Sequence, residues 1–423
     1  MTLKKSLTLM SSRSGRFEER TTLIQRWAMA LTVFALGGPA YAQQHQHAGG
    51  GPRCNEAILA CARQATPAFG PDGALWLAFA AGGKVMVARS DDLGGHFAPP
   101  VAVTPEPAKL DTGPDARPKV VVDKDGRITV AYAVFKDQNY NGRVYVARSI
   151  DHGASFSAPQ PITADDSSQR FETLALDPAG GVFATWIDKR NAAAARRQGK
   201  AYPGAALAFA WLDGSGSAAP TRIARDETCE CCRLAVGFAA PSRPVVAFRN
   251  IFDGHTRDHA VITFADAATP GPVRRISVDE WKTDVCPHQG PSLAVSPSGA
   301  YHIAWYTAGQ ARKGVFYARS MDEGTAFAAP LPVGNAAARA ERPSVLAGDG
   351  KVFVAWKEFD GEATAIRLMV SADDGANWAA PTTVASSAGF ADHPLLVSDG
   401  KRAFLSWLTA AEGYRLIPLG APQ

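Results

Sequence analysis

The chain has little of what would make it disulfide-scaffolded, strongly charged or membrane-embedded. Among 423 residues there are 6 Cys and 6 Met, charged side chains make up 20%, and 44 Lys and Arg stand against 40 Asp and Glu. Six cysteines are too few for a small disulfide scaffold, and a chain of this length builds its core without cysteines or metal. With 46% hydrophobic residues, 39 Gly and 29 Pro, the composition is that of an ordinary folded protein and excludes disorder or a collagen-like repeat. Beyond the first 42 residues no segment offers the ~20 apolar residues that a membrane span needs.

The formal charge of +4 belongs to the amino-terminal segment. Lys4, Lys5, Arg13, Arg16, Arg20 and Arg26 run into the apolar stretch Trp27 to Leu36, followed by a Gly-Gly-Pro break and Ala40-Tyr41-Ala42. This is the order of a secretory signal with cleavage after Ala42, the alternative being an uncleaved signal anchor. Those six basic residues and two acidic ones, Glu18 and Glu19, carry the whole excess, so residues 43–423 are formally neutral. The charge therefore points to no nucleic acid. The expected organisation is a signal peptide at 1–42, a flexible His- and Gly-rich leader at 43–53 and a folded domain at 54–423, in a periplasmic or secreted protein. Export would also put the cysteines where free thiols oxidise unless something holds them.

Self-comparison reveals the fold class. An apolar run ending in an aromatic recurs seven times, closing at Phe79, Tyr132, Trp186, Phe248, Trp305, Trp356 and Trp407, with spacings of 51 to 62 residues. Each run follows another apolar run and a turn, as in Val120 to Gly126, and precedes a third strand such as Val144 to Arg148. About four short strands per unit predict an all-β chain, a β-propeller of four-stranded blades, seven by this count and six if one terminal unit is irregular. The last unit shows three strands, so Cys54 to Cys61 is the candidate for its fourth.

Four units also carry S-x-D-x-G-x-x-aromatic between the third and fourth strands, at Ser90 to Phe97, Ser149 to Phe156, Ser320 to Phe327 and Ser371 to Trp378. The motif resembles the Asp-box, or bacterial neuraminidase repeat, of the sialidase superfamily, and the resemblance covers nearly all of 54–423. As chemistry it is a turn, with Ser and Asp bonding local amides and Gly left-handed. The resemblance implies three arginines on a substrate carboxylate, a Tyr nucleophile activated by Glu, and an Asp acid/base. Arg117, Arg170 and Arg342, with Glu172, are the candidates for that exo-α-sialidase reading, since Arg suits carboxylates. The family's Arg-Ile-Pro motif is absent and no Tyr, Glu and Asp match its catalytic positions, so the resemblance is read as fold-level.

In a propeller, loops joining strands two to three and strand four to the next blade share one face. Cys229-Glu230-Cys231-Cys232 and Cys286-Pro287-His288 fall on adjacent loops of that face, as does Asp253 to His259. Three cysteines in four residues cannot all pair with one another without strain. Three readings stay open: structural disulfides that include a Cys54–Cys61 pair, a Cys229/Cys232 redox pair, or a soft-metal site. The metal reading takes Cys229, Cys231, Cys232 and Cys286 as ligands, with His288, His255 and His259 in support, for copper as Cu(I) with zinc the competitor. Cleavage after Ala42 would add a second nitrogen site at Gln43-Gln44-His45. The basic insertion from Lys189 to Lys200 is expected to form a short helix over the same face or a solvated loop. The combined expectation is a propeller without glycosidase activity that binds or delivers copper, with an envelope protein as partner in uptake or detoxification. A passive glycan- or protein-binding propeller is the remaining alternative.

Overall fold

A computed structural model describes residues 54–420 apart from 114, 219 and 254; the proposed signal, the leader and His45 lie outside them. The apolar runs fold into successive antiparallel groups. The first contains β1 (Ala65–Phe69), β2 (Leu75–Ala81), β3 (Lys84–Ser90) and β4 (Val101–Ala102), and the second β5 (Lys119–Val122), β6 (Ile128–Phe135), β7 (Gly142–Ser149) and β8 (Gln160–Pro161). The third contains β9 (Gln169–Leu176), β10 (Val182–Asp188), β11 (Ala205–Leu212) and β12 (Arg222–Thr228), and the fourth β13 (Ala235–Ala240), β14 (Arg243–Phe252), β15 (Thr256–Thr263) and β16 (Arg274–Arg275). Then come β17 (Ser292–Val295), β18 (Tyr301–Ala308), β19 (Lys313–Ser320) and β20 (Leu331–Val333), and β21 (Glu341–Gly348), β22 (Lys351–Phe359), β23 (Ala363–Ser371) and β24 (Thr382–Ala388). The last group is β25 (Leu395–Ser398), β26 (Ala403–Thr409) and β27 (Gly413–Leu419).

The first strand of each group packs beside the first strands of its two neighbours, and β1 packs beside β25. The sheets thus stand around a common axis in a β-propeller. Second strands are apolar on both faces because a neighbouring sheet covers each face. All seven repeated aromatics are buried on them, none more than 4% exposed. Four are tryptophans whose indole N–H groups donate to Asp188, Asp279, Glu358 and the Asp392 carbonyl, so each large ring is buried with its polar atom satisfied.

The four S-x-D-x-G segments share one hydrogen-bond pattern. The Ser hydroxyl donates to the Asp carboxylate at 2.7–2.8 Å and accepts from the Gly amide at 2.8–2.9 Å. Each of these glycines has φ between 81° and 89°. At Gly153 a side chain would also meet the Trp76 ring at 2.6 Å, so this turn locks one sheet against the next.

Cys54–Cys61 is disulfide-bonded. That segment forms a short helical turn at Leu59–Cys61 against β2 and β27, where the sequence predicted a fourth strand. The cross-link across seven residues favours a tight turn over an extended strand. The ring is joined at this seam by Arg117, whose guanidinium makes a two-pronged pair with Asp392 at 2.7 and 3.1 Å, while Asp392 also accepts the Ala65 amide.

Asp115 ties the axis together. Its side chain is fully buried; one oxygen takes the Arg342 guanidinium at 2.8 Å and the other the amides of Arg233 and Gly290 at 3.1 and 2.9 Å. Burial would raise its pKa, but Arg342, Arg233 and the two amides hold it below the usual carboxylate value. One carboxylate from the loop before β5 therefore anchors the loops before β13 and β17 and the first residues of β21. Asp115→Ala leaves two buried guanidinium groups without that anion and is expected to cost about 3–5 kcal/mol. Urea denaturation is the measurement, and an unchanged midpoint would contradict this role.

Candidate metal centre

The sheet seam fixes where the cysteines go. Groups three and four are joined through Thr228 and Asn250 into one eight-stranded sheet, and the Thr228 hydroxyl donates to the Ala205 carbonyl at 2.9 Å. The next residue, Cys229, donates its amide to the Arg249 carbonyl at 2.9 Å. Four residues later the Arg233 amide is held by Asp115, and the Arg233 side chain donates to the carbonyls of Pro291 and Pro343. A turn pinned at both ends must present its three thiols inward. Cys229, Cys231 and Cys232 are 1%, 2% and 1% exposed, packed with Phe171, Ile187 and Phe248.

The Cys229 Sγ lies 3.7 Å from that of Cys231 and 3.2 Å from that of Cys232, and the three sulfurs all fall within 4.8 Å of one another. Two arginines face them. Arg249 donates through Nη1 to Cys232 Sγ at 3.5 Å, is held by the Arg257 carbonyl and lies 4.0 Å from the Trp281 ring centre. Arg257 Nη1 is 3.8 Å from Cys229 Sγ. Hydrogen bonds from Cys231 and Cys232, with the charges of Arg249 and Arg257, pull the Cys229 thiol well below its usual value. The Cys231 thiol is pushed up by its bond to Cys229, and burial pushes up that of Cys232. The arrangement thus favours negative charge on Cys229 beside Arg249 and Arg257. A soft cation that displaced the thiol protons would gain three thiolates.

Cys286 is exposed and stands outside the trio of sulfurs that lie within 4.8 Å of one another. The other candidates are distributed differently. His255 is largely exposed and faces Asp284 at 3.5 Å. His259 is buried on β15, with Nε2 against the Gln289 carbonyl at 3.2 Å and Nδ1 without a partner. The His288 ring lies 5.8 Å from that of Phe171, on the axial side, and its carbonyl accepts from Arg342.

The arginines of the sialidase reading are each already engaged by an internal carboxylate: Arg117 by Asp392, Arg170 by Asp111 and Arg342 by Asp115. Glu172 is buried with Oε2 unpartnered; burial pushes it up to about 8 and the neighbouring Lys119 down to about 8. The sequence reading did not single out Asp115, Arg249 or Arg257. Arg249 follows the repeated aromatic Phe248 directly, at the loop-facing end of a second strand, and that position is the signal that could have found it.

His259 supplies a pH test. Burial, then the charge of Arg249, lowers it to about 3, below the unfolded value of about 6.5. The unfolded chain therefore binds a proton that the folded chain refuses, and stability present above pH 6.5 is lost as pH falls toward 3. The slope from this group is up to about 1.4 kcal/mol per pH unit. His259→Gln should flatten the acid decline of metal-free protein in urea titrations between pH 6.5 and 4; an identical decline would refute it.

No protein-family model matches the chain, and no curated protein matches it. Among solved structures it is similar to an ulvan lyase of polysaccharide lyase family 25 bound to -[GlcA(1-4)Rha3S]-, with 13% identity over 86% of this chain and 96% of that one, TM-score 0.54. It is also similar to the BP39L lectin of Burkholderia pseudomallei, with 14% identity over 85% and 100%, TM-score 0.54. A Dyadobacter fermentans protein of unknown function gives 16% identity over 75% and 95%, TM-score 0.50. At these identities the likeness is one of fold, and the sialidase resemblance is held at that level.

Proposed function

We propose that the chain is an exported, seven-bladed propeller that binds or delivers a soft transition metal, copper as Cu(I) before zinc, at Cys229, Cys231 and Cys232. The observation that carries this reading is three buried sulfurs within 4.8 Å of one another facing Arg249 and Arg257. With metal–sulfur bonds of about 2.3 Å, three sulfurs around one ion stand roughly 3.8–4.0 Å apart, so the spacings of 3.2 and 3.7 Å need only small side-chain adjustments. Cu(I) with three thiolates carries two negative charges, matching the two guanidinium groups beside it; an unbalanced charge at such burial would be costly. The all-sulfur set suits Cu(I), while Zn(II) would call for a fourth ligand, for which Cys286 is the candidate. An envelope protein in metal uptake or detoxification is the proposed partner.

The 3.2 Å separation of Cys229 and Cys232 also supports a second reading, a redox dithiol in which Cys231 is a bystander. A glycosidase is not proposed, because a substrate carboxylate would have to displace internal carboxylates from Arg117, Arg170 and Arg342.

The test is metal analysis after anaerobic incubation with Cu(I) or Zn(II). Wild type should retain one copper per chain and the variant Cys229→Ser, Cys231→Ser, Cys232→Ser none. Equal metal in both would remove this site. A metal-free wild type that forms a Cys229–Cys232 disulfide would establish the redox reading instead.

A further inference from the structure

We propose that the helix α1 (Arg190–Arg197), which stands beside the cysteine turn, is the docking surface of the metal-exchanging partner, and that this partner is a protein with an acidic face. This rests on the metal reading above and adds a surface and a partner class to it. The insertion from 189 to 200 carries five basic side chains and no acidic one. Two of the five are used internally: Lys189 pairs with Glu230 at 2.5 Å and Arg190 with Asp188 at 2.7 Å. Arg196, Arg197 and Lys200 are exposed and make no ion pair among the described residues. The helix holds no acidic residue that could neutralise them through an i,i+4 pair. The carboxylates at the end of β12 are engaged elsewhere, Asp226 by Asn191 and Tyr202 and Glu227 by Arg225. The helix dipole favours cations in the last turn by about 0.3–1 kcal/mol, but Lys200 lies beyond that turn.

These charges have a fixed place relative to the sulfurs. Glu230 lies between Cys229 and Cys231, so its pair with Lys189 ties the start of the helix directly to the cysteine turn. The Lys189 amide is held by the Ser168 carbonyl at 2.9 Å, and Asn191 donates to Asp226 at 2.7 Å, on the strand that leads into Cys229. Tyr202, just past the insertion, donates to the same Asp226 carboxylate. The insertion is thus held at both ends, and the last turn of its helix presents the unpaired cations to solvent. At 1.5 Å per residue the helix is about 12 Å long, so its cations and the turn fit within the roughly 800 Å² that one partner covers in a standard interface.

Unpaired cations beside a binding turn attract an acidic face from a distance and raise its association rate, an effect that salt screens. Residues 43–423 are formally neutral, so this attraction belongs to one face and orients the partner instead of acting over the whole molecule. In the exchange that follows, copper stays Cu(I): carrier sulfur–copper bonds break as bonds to Cys229, Cys231 and Cys232 form. Each protein thiol that becomes a ligand releases a proton, and each carrier thiolate set free takes one up.

The experiment uses the purified, anaerobic protein and two Cu(I)-loaded peptides, each with a Cys-x-x-Cys pair, flanked in one by four glutamates and in the other by four lysines. Protein-bound copper is measured after rapid desalting at successive times. Wild type should take copper about tenfold faster from the acidic peptide at low ionic strength, with the ratio near one in 1 M salt, where the Debye length is about 3 Å. The variant Arg196→Glu, Arg197→Glu, Lys200→Glu should reach the same copper content with no preference for the acidic peptide. A variant with the same change in net charge at exposed sites elsewhere, Lys313→Glu, Lys351→Glu, Lys401→Glu, should keep the preference. An unchanged ratio in the α1 variant, or an equal loss in both variants, would overturn the proposal. Fluorescence anisotropy of the metal-free acidic peptide separates this outcome from failure of the metal site. Binding by wild type that the α1 variant loses supports the surface even where no copper is accepted, and no binding by wild type overturns it. Wild type that sediments with phosphatidylglycerol vesicles through these side chains while ignoring the acidic peptide would also overturn it, in favour of a membrane.

Discussion

The rest of the structure depends on one buried carboxylate. Asp115 sits where first strands approach the axis, and its two oxygens are shared among Arg342, Arg233 and Gly290. Apart from the Thr228–Asn250 join, the sheets touch their neighbours through side faces, so nothing in the repeat itself sets the positions of loops across the axis. A charged group in low dielectric does so strongly, because any displacement leaves guanidinium and carboxylate uncompensated. Since Arg233 ends the cysteine turn and Gly290 ends the Cys286 segment, the same carboxylate fixes both chains that bear thiols.

Electrostatics at the cysteines are reciprocal. Arg249 is 1% exposed and has no carboxylate partner among the described residues; it is compensated by the sulfurs, the Arg257 carbonyl and the Trp281 ring face. The charges of Cys232 and Cys229 raise its pKa against the effect of burial. Thus the arginine needs the thiolate as much as the thiolate needs the arginine. A set of neutral thiols would leave Arg249 uncompensated, and oxidation to a disulfide would do the same. This gives negative sulfur a reason to persist there, and a bound soft cation retains that negative charge in the form of a thiolate complex.

The repeat was legible because it is written in local patterns. The aromatics from Phe79 to Trp407 and the Ser-Asp-Gly turns each obey short-range rules, and the structure places the aromatics on second strands and the turns between third and fourth. Proximity of Cys229, Cys231 and Cys232 was legible for the same reason, since three residues in four must be close. The basic insertion stayed open in the sequence between a short helix and a solvated loop, and the structure forms the helix Arg190–Arg197 there, as its alanines favour. What was not legible is everything fixed by register across the axis. Asp115 with Arg342, separated by 227 residues, and Arg117 with Asp392, separated by 275, belong to no local pattern. His255 and His288 looked equivalent to His259 on the loop face; the structure leaves His255 largely exposed, sets the His288 ring beside Phe171 and buries His259 on β15.

The placement of the thiols also separates a metal role from a glycan role on the same scaffold. Axial ligands of a sugar acid would compete with carboxylates already bound to Arg117, Arg170 and Arg342, each in a buried or half-buried pair. Breaking such a pair exposes a desolvated anion, so the incoming group must offset that loss before it gains anything. The cysteine turn has the opposite logic. Its protons are held between sulfurs, and replacing them with one soft cation removes no existing ion pair. The axis is therefore organised to hold the fold, while at the seam between the third and fourth sheets a soft cation, on the proposed reading, would add an interaction without breaking an ion pair.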